Sequence, residues 1–226
     1  MYTNGKMKII LMNFTLIFIL NLGFGQANEI KIKFISNCGL YLTDGTTNIY
    51  CDFPYRSGAF IYDEFDPSEL DSIKENSIFL FTHTHGDHYS RKNMRFVLKN
   101  KNGKKYGKWN IDELENLGKI IPDFEIKAIK TNHKFSFKHY SYLITWHGKR
   151  IYISGDAEST TTIEGIKELD WAFVPGWLLK SIFTNKIKLD TKMIGLYHVG
   201  RGDTIEIDHP KIRVFDTQGE RITIPY

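Results

Sequence analysis

The stretch Ser77-Ile78-Phe79-Leu80-Phe81-Thr82-His83-Thr84-His85-Gly86-Asp87-His88 decides how the chain is read. Its first half is a continuous apolar run, the pattern of a strand covered on both faces. Its second half places three histidines and an aspartate within six residues, where that strand emerges. Residues two apart on an extended segment point the same way, so His83 and His85 can grip one cation jointly. Gly86 is then expected to allow a sharp turn that brings Asp87 and His88 to a second position. Imidazole and carboxylate are the donors that suit zinc and related divalent ions. A solvated polar loop would rarely gather such residue types at such spacing.

Outward from this run, the pattern is of short strands with a few helices between them. Ile30 to Ile35 alternates apolar residues with lysines, the period of a half-buried strand. Gly39 to Thr43 and Asn48 to Asp52 are two more strands, joined through the Asp44-Gly45 turn signal. Pro67 to Lys74 reads as a short helix with Asp66 as its cap and Pro67 in its first turn. Arg91 to Leu98 reads as a helix, and Lys99 to Lys108 as a lysine-rich loop. Further strands are expected at 125–130, 140–146, 150–154, 171–174, 193–197, 212–215 and 222–224, with a helix at 163–169. No internal repeat stands out, and one domain is expected over residues 26–226.

Residues 1–25 are a different kind of segment. Lys6 and Lys8 precede an apolar stretch from Ile9 to Phe24, and Gly23-Phe24-Gly25 offers small residues before Gln26. This is the layout of a cleaved export signal; an uncleaved membrane anchor is the other reading, although the apolar stretch is short for a span of about 20 residues. The expected location is therefore periplasmic or secreted. Without residues 1–25 the formal charge falls from +4 to +2, too little to point to nucleic acid. The two cysteines, Cys38 and Cys51, lie on either side of the first hairpin. Export would permit a disulfide, but two buried thiols are the simpler expectation, since cross-strand geometry often misses the narrow disulfide dihedral.

The run His83-Thr84-His85-Gly86-Asp87-His88 resembles the HxHxDH signature of the metallo-β-lactamase superfamily. The resemblance continues in order along the chain. Ile126 to His133 is similar to the strand that delivers a third histidine, and Tyr152-Ile153-Ser154-Gly155-Asp156 to the segment that supplies a bridging aspartate. Leu196-Tyr197-His198 is similar to the late strand ending in the last histidine, and Asp52 to an early aspartate that buttresses the site. The resemblance implies a four-layer αβ/βα sandwich. It also implies that His83, His85 and His133 hold one metal and Asp87, His88 and His198 a second, with Asp156 bridging. Two divalent ions about 3.5–4 Å apart can share a hydroxide whose pKa they depress. The implied activity is a metal-dependent hydrolase acting on a small ester, lactone or amide, with Asp87 and Asp156 in catalytic roles. Zinc is the expected ion, with manganese or iron as alternatives. The compact chain looks most like the branch of ascorbate-phosphate-lactonase-like proteins.

Several residues stay open at this level. His139 could face the cleft as a substrate contact or proton donor, His147 sits in a turn, and His209 has no assigned role. The lysines at 99, 101, 104, 105 and 108, with Tyr106 and Trp109, could bind phosphates and stack bases, or be a solvated insertion. A phosphodiesterase or nuclease is accordingly the second functional reading, and a metal-binding domain without turnover the third. Trp177, Leu178 and Leu179 could line an apolar pocket or pack a loop.

Overall fold

A computed structural model describes residues 28–203 and 205–226. The export or anchor segment expected at residues 1–25 lies outside the described residues. Among the described residues, no helix is long and apolar enough to cross a membrane.

Among the described residues, twelve strands form two six-stranded sheets. The first sheet comprises β1 (Glu29–Ser36), β2 (Gly39–Thr43), β3 (Asn48–Cys51), β4 (Ile78–Leu80), β5 (Lys104–Tyr106) and β12 (Arg221–Pro225), in the order β12-β1-β2-β3-β4-β5. The second comprises β6 (Phe124–His133), β7 (Ser136–Trp146), β8 (Lys149–Ile153), β9 (Leu169–Pro175), β10 (Thr191–Tyr197) and β11 (Ile212–Val214), in the order β11-β10-β9-β8-β7-β6. The first sheet is antiparallel from β12 through β1 and β2 to β3 and parallel over β3, β4 and β5; the second is antiparallel over β6, β7 and β8 and parallel from β8 to β11.

Sequence alternation explains the layering. Ile30, Ile32 and Phe34 of β1 point between the sheets, where they meet Tyr142, Ile144 and Trp146 of β7 and Phe173 of β9. On β9 the alternate residues Ala172 and Val174 face outward and are covered by Leu178, Leu179 and Ile182 of α4 (Gly176–Thr184). Met94 and Val97 of α2 (Arg91–Lys101) cover Tyr50, Phe79 and Phe81 on the outer face of the first sheet. The result is helix, sheet, sheet, helix, the four-layer sandwich that the sequence led us to expect.

Three local expectations are corrected. The stretch 99–108 is not a loop: Lys99 and Lys101 close α2, Asn102 ends it in a left-handed conformation (φ 49°), and Lys104–Tyr106 is the edge strand β5. Lysines on an edge strand keep it from pairing with another chain. The helix expected at 163–169 is only α3 (Thr161–Glu164). Ile163, Ile166 and Leu169 are all buried beneath the second sheet, but Leu169 already opens β9. Finally, Trp177, Leu178 and Leu179 lie on a helix, α4, and not in a loop after Pro175-Gly176. Here the pair starts the helix, and Leu178, Leu179 and Ile182 share one buried face. The helix expected at 67–74 is the shorter α1 (Ser68–Ser72), which Pro67 precedes and whose Ser68 amide donates to Asp66 Oδ1 at 2.8 Å.

Candidate metal centre

The site forms where strands of both sheets end. His83, His85, Asp87 and His88 follow β4, His133 is the last residue of β6, Asp156 follows β8, and His198 follows β10. Parallel strands deliver their C-terminal ends to one edge, and a cleft outside those ends is where such sheets bind ligands. The edges are stitched together by the Tyr140 amide, which donates to the carbonyl of Thr82 in the facing sheet at 2.9 Å.

The seven side chains converge around Asp156. Its Oδ1 lies 3.1 Å from His88 Nε2 and 3.2 Å from His198 Nε2. Its Oδ2 lies 3.6 Å from His133 Nε2 and 3.8 Å from His83 Nε2. Asp87 Oδ2 approaches His198 Nε2 at 3.4 Å and His88 Nε2 at 3.7 Å, while His133 Nε2 is 3.2 Å from His85 Nδ1. Two groups of donors have ligand atoms within 4.8 Å of one another: His83, His85 and His133; and Cys38, His88, Asp156 and His198. Among the described residues, His83 Nε2, Asp87 Oδ1, His88 Nε2, Asp156 Oδ1 and both ring nitrogens of His198 are buried without a hydrogen-bond partner. Leaving so many polar atoms unsatisfied is costly, and cations at their focus would satisfy them. The donor set therefore fits divalent metal ions.

Surrounding groups aim these donors. Asp52 is fully buried; its Oδ1 accepts from the Thr82 amide at 2.8 Å and its Oδ2 from the Thr82 hydroxyl at 2.8 Å. Oδ2 also accepts from His88 Nδ1 at 3.0 Å, which turns His88 Nε2 toward Asp156. Asn37 donates from Nδ2 to the Asp87 carbonyl at 2.8 Å, and its own carbonyl accepts from the His198 amide at 3.0 Å. Gly155 sits at φ 56° against Thr82 and His139; a Cβ there would lie 2.7 Å from Thr82 Cβ. Gly86 acts otherwise than expected. It is not at positive φ, and its lack of a side chain gives room to Arg56, whose Nε would be 3.3 Å from an added Cβ.

His139 is a positioning residue and not a group facing the cleft. It is fully buried, and its Nε2 accepts from the Asp156 amide at 2.9 Å. The proton must then sit on Nδ1, which lies 2.7 Å from Thr131 Oγ1. From there the hydroxyls run on to Ser141 Oγ at 3.2 Å and the Ser154 carbonyl at 2.8 Å, so one direction of donation satisfies the whole line. Burial pushes the His139 imidazole down to about 3, which keeps it neutral. Burial would likewise depress His88 and His198, but neighbouring Asp156, Cys38 and, for His88, Asp52 reverse the effect and raise both well above the ordinary histidine value. Burial opposes ionisation of Asp156, yet the two imidazoles hold its carboxyl well below the usual range.

The remaining sequence candidates divide cleanly. Trp177 lies edge-on to His198 with ring centroids 5.1 Å apart, whereas Leu178 and Leu179 belong to the outer core. Tyr62 also packs edge-on against His198, at 4.2 Å, a neighbour that nothing in the local sequence announces. His147 is far from the site, held by Asp44 Oδ2 at 3.0 Å and stacked on Tyr226. His209 is exposed. Cys38 and Cys51 are both free and buried, so the disulfide is absent. Lys108 donates to Thr84 Oγ1 at 2.8 Å beside the site, while Lys104 is engaged by Glu113 at 3.1 Å.

A cavity of about 440 Å³ opens beside His85, lined by Thr84, Lys108, Trp109, Phe135, Phe137 and Lys138. A larger one, about 580 Å³, lies at the opposite ends of the second sheet's strands, among Lys149, Arg150, Asp170 and Lys192. It contains no histidine, and its Asp170 is already paired with Lys192 at 2.7 Å. The smaller cavity is the one that adjoins the metal-binding donors.

Solved structures share this architecture. Igni18, a metallo hydrolase from the archaeon Ignicoccus hospitalis, superposes with a TM-score of 0.66 at 17% identity, over 88% of this chain and 99% of that one. A Parabacteroides distasonis protein named as a metal-dependent hydrolase gives 0.59 at 22% identity, over 84% and 94%. The metallo-β-lactamase fold protein YhfI from Bacillus subtilis gives 0.59 at 12% identity, over 87% and 99%. No family model matches the sequence, and no curated protein matches it. The chain has the metallo-β-lactamase fold. At these identities the likeness defines architecture, and activity must be argued from the site.

Proposed function

We propose that the protein is a metal-dependent hydrolase that holds two divalent cations and cleaves a small ester, lactone or amide. The observation that carries this reading is the convergence of buried, unpartnered donor atoms on the two carboxylate oxygens of Asp156. His83, His85 and His133 hold one ion, Asp87, His88 and His198 the other, and Asp156 reaches both. Zinc suits this donor set best, with manganese or iron as alternatives. When bound, such a pair supplies Lewis acidity and makes a coordinated water acidic enough to be a nucleophile at neutral pH.

The chain's own groups do the rest. Asp52 fixes the tautomer of His88, and His139 holds the backbone of Asp156 from behind. Asp87 Oδ1, buried and without a partner, would accept a proton from the attacking water. Trp109, Phe135 and Phe137 offer an apolar wall to the substrate, and Lys108 and Lys138 attract a carboxylate or similar anionic group. The cavity beside His85, about 440 Å³, has room for a small molecule.

A phosphodiester substrate is the second reading. Lys108 beside the site favours it, as does Lys105, whose Nζ lies 3.6 Å from the Trp109 ring centroid. Lys104 does not contribute, because Glu113 already engages it.

Elemental analysis of protein purified without chelator should find close to two divalent ions per chain. A screen of ester, lactone, amide and phosphodiester substrates should show turnover that chelation abolishes and metal restores. A chain that takes up no metal, or whose turnover ignores chelation, would sink the proposal. Loss of phosphodiester turnover alone in Lys105→Ala/Lys108→Ala would decide for the second reading.

A further inference from the structure

The donor group around His88 and His198 contains a side chain from a distant turn. Cys38 Sγ lies within 4.8 Å of donor atoms of His88, Asp156 and His198 at once. All four residues are buried: Cys38 and His88 completely, Asp156 and His198 to all but 4% and 5%. The thiol is free, and Cys51, the other cysteine, is not part of the group.

We propose that Cys38 is a thiolate ligand of the metal ion at this position, which makes it a site for a sulfur-accepting transition metal such as zinc or cobalt. The inference rests on the two-cation reading above and adds to it both a ligand and a metal preference.

Three independent features support it. The atoms opposite the sulfur, His88 Nε2, His198 Nε2 and Asp156 Oδ1, are buried, make no hydrogen bond, and crowd together, the two nitrogens 3.1 and 3.2 Å from the oxygen, at the focus that a shared cation would fill. Donors that share one tetrahedral ion, bound at about 2.0–2.3 Å, lie within about 4 Å of one another, which small side-chain rotations reach from the present spacing. The turn that carries Cys38 is also built into the site. Asn37 beside it holds the Asp87 carbonyl through its side chain and the His198 amide through its backbone, so sulfur and the other donors cannot drift apart independently.

The chemistry needs no oxidant or co-reactant. The ion displaces the thiol proton, which passes to solvent, and a metal–sulfur bond forms; the sulfur keeps its oxidation state. A soft thiolate selects against magnesium and manganese, which prefer oxygen donors.

Cobalt(II) provides the test, because thiolate ligation gives a sulfur-to-cobalt charge-transfer absorption that imidazole and carboxylate do not. Metal-depleted full chain, reloaded with cobalt without air, should show that band. Cys51→Ser should keep it and Cys38→Ser should lose it, while the latter still binds an ion at the His83 position by elemental analysis. If Cys38→Ser does not fold, X-ray absorption on zinc-loaded wild-type protein gives the same answer through a sulfur neighbour in the zinc shell. Cobalt uptake without the band, a band that survives in Cys38→Ser, or a zinc shell free of sulfur overturns the thiolate and leaves the two-cation reading standing. A chain that takes up no cobalt or zinc overturns both.

Discussion

The two donor groups that meet at Asp156 differ in how they face water. His88, Asp156, His198 and Cys38 are all buried, whereas His85 and His133 are partly exposed and only His83 beside them is buried. One position is shut away from water; at the other, His85 lines the cavity formed with Trp109, Phe135 and Phe137. Closed metal sites stabilise a fold, while sites with an open face leave room for a substrate. On the two-cation reading proposed above, the closed position would anchor and the open one would meet the incoming molecule.

The residue common to both is the place to break this contrast most completely. Asp156→Ala removes the carboxylate that touches His88 and His198 on one side and His83 and His133 on the other. It should empty both positions and abolish turnover; elemental analysis finding even one ion retained at full occupancy would contradict its bridging place.

A more selective loss is expected from His85→Ala. This residue belongs only to the open group, so the variant should fall from two ions per chain to one, keep its thermal stability, and lose activity. Equal loss of both ions would show that the two positions do not act separately.

The smallest effect should come from outside the donor set. Asp52→Asn weakens the hydrogen bond that orients His88 and should lower metal affinity at the closed position by about 10–100-fold. Chelator competition would measure it, and the open position should hold its ion as tightly as before. A drop of equal size at both positions would mean that Asp52 supports the fold in general and not His88 in particular.

Much of this was legible in the chain before folding. Short strands such as β1 and β10 announce themselves by alternation or by apolar runs, because burial on one or both faces is a local property. The histidine run was readable for the same reason: four donors lie within one strand end. His139, Asn37 and Cys38 were not, since their roles depend on which turn abuts which strand end. His139 meets the amide of Asp156, 17 residues on, and Asn37 meets Asp87, 50 residues on. No local pattern encodes those meetings. The lysines of 99–108 misled for a related reason, because charge on an edge strand and charge in a binding loop look alike until the neighbouring strand is known.

Asp52 and His198 share an unusual backbone. Both adopt left-handed conformations, with φ of 50° and 58°, although neither is glycine. For L-residues this costs roughly 1–2 kcal/mol each. At Asp52 the three hydrogen bonds that its carboxylate accepts outweigh that cost. Glycine would relax the backbone there but leave the Thr82 amide, the Thr82 hydroxyl and His88 without their acceptor, so Asp52→Gly should lower the melting temperature and not raise it.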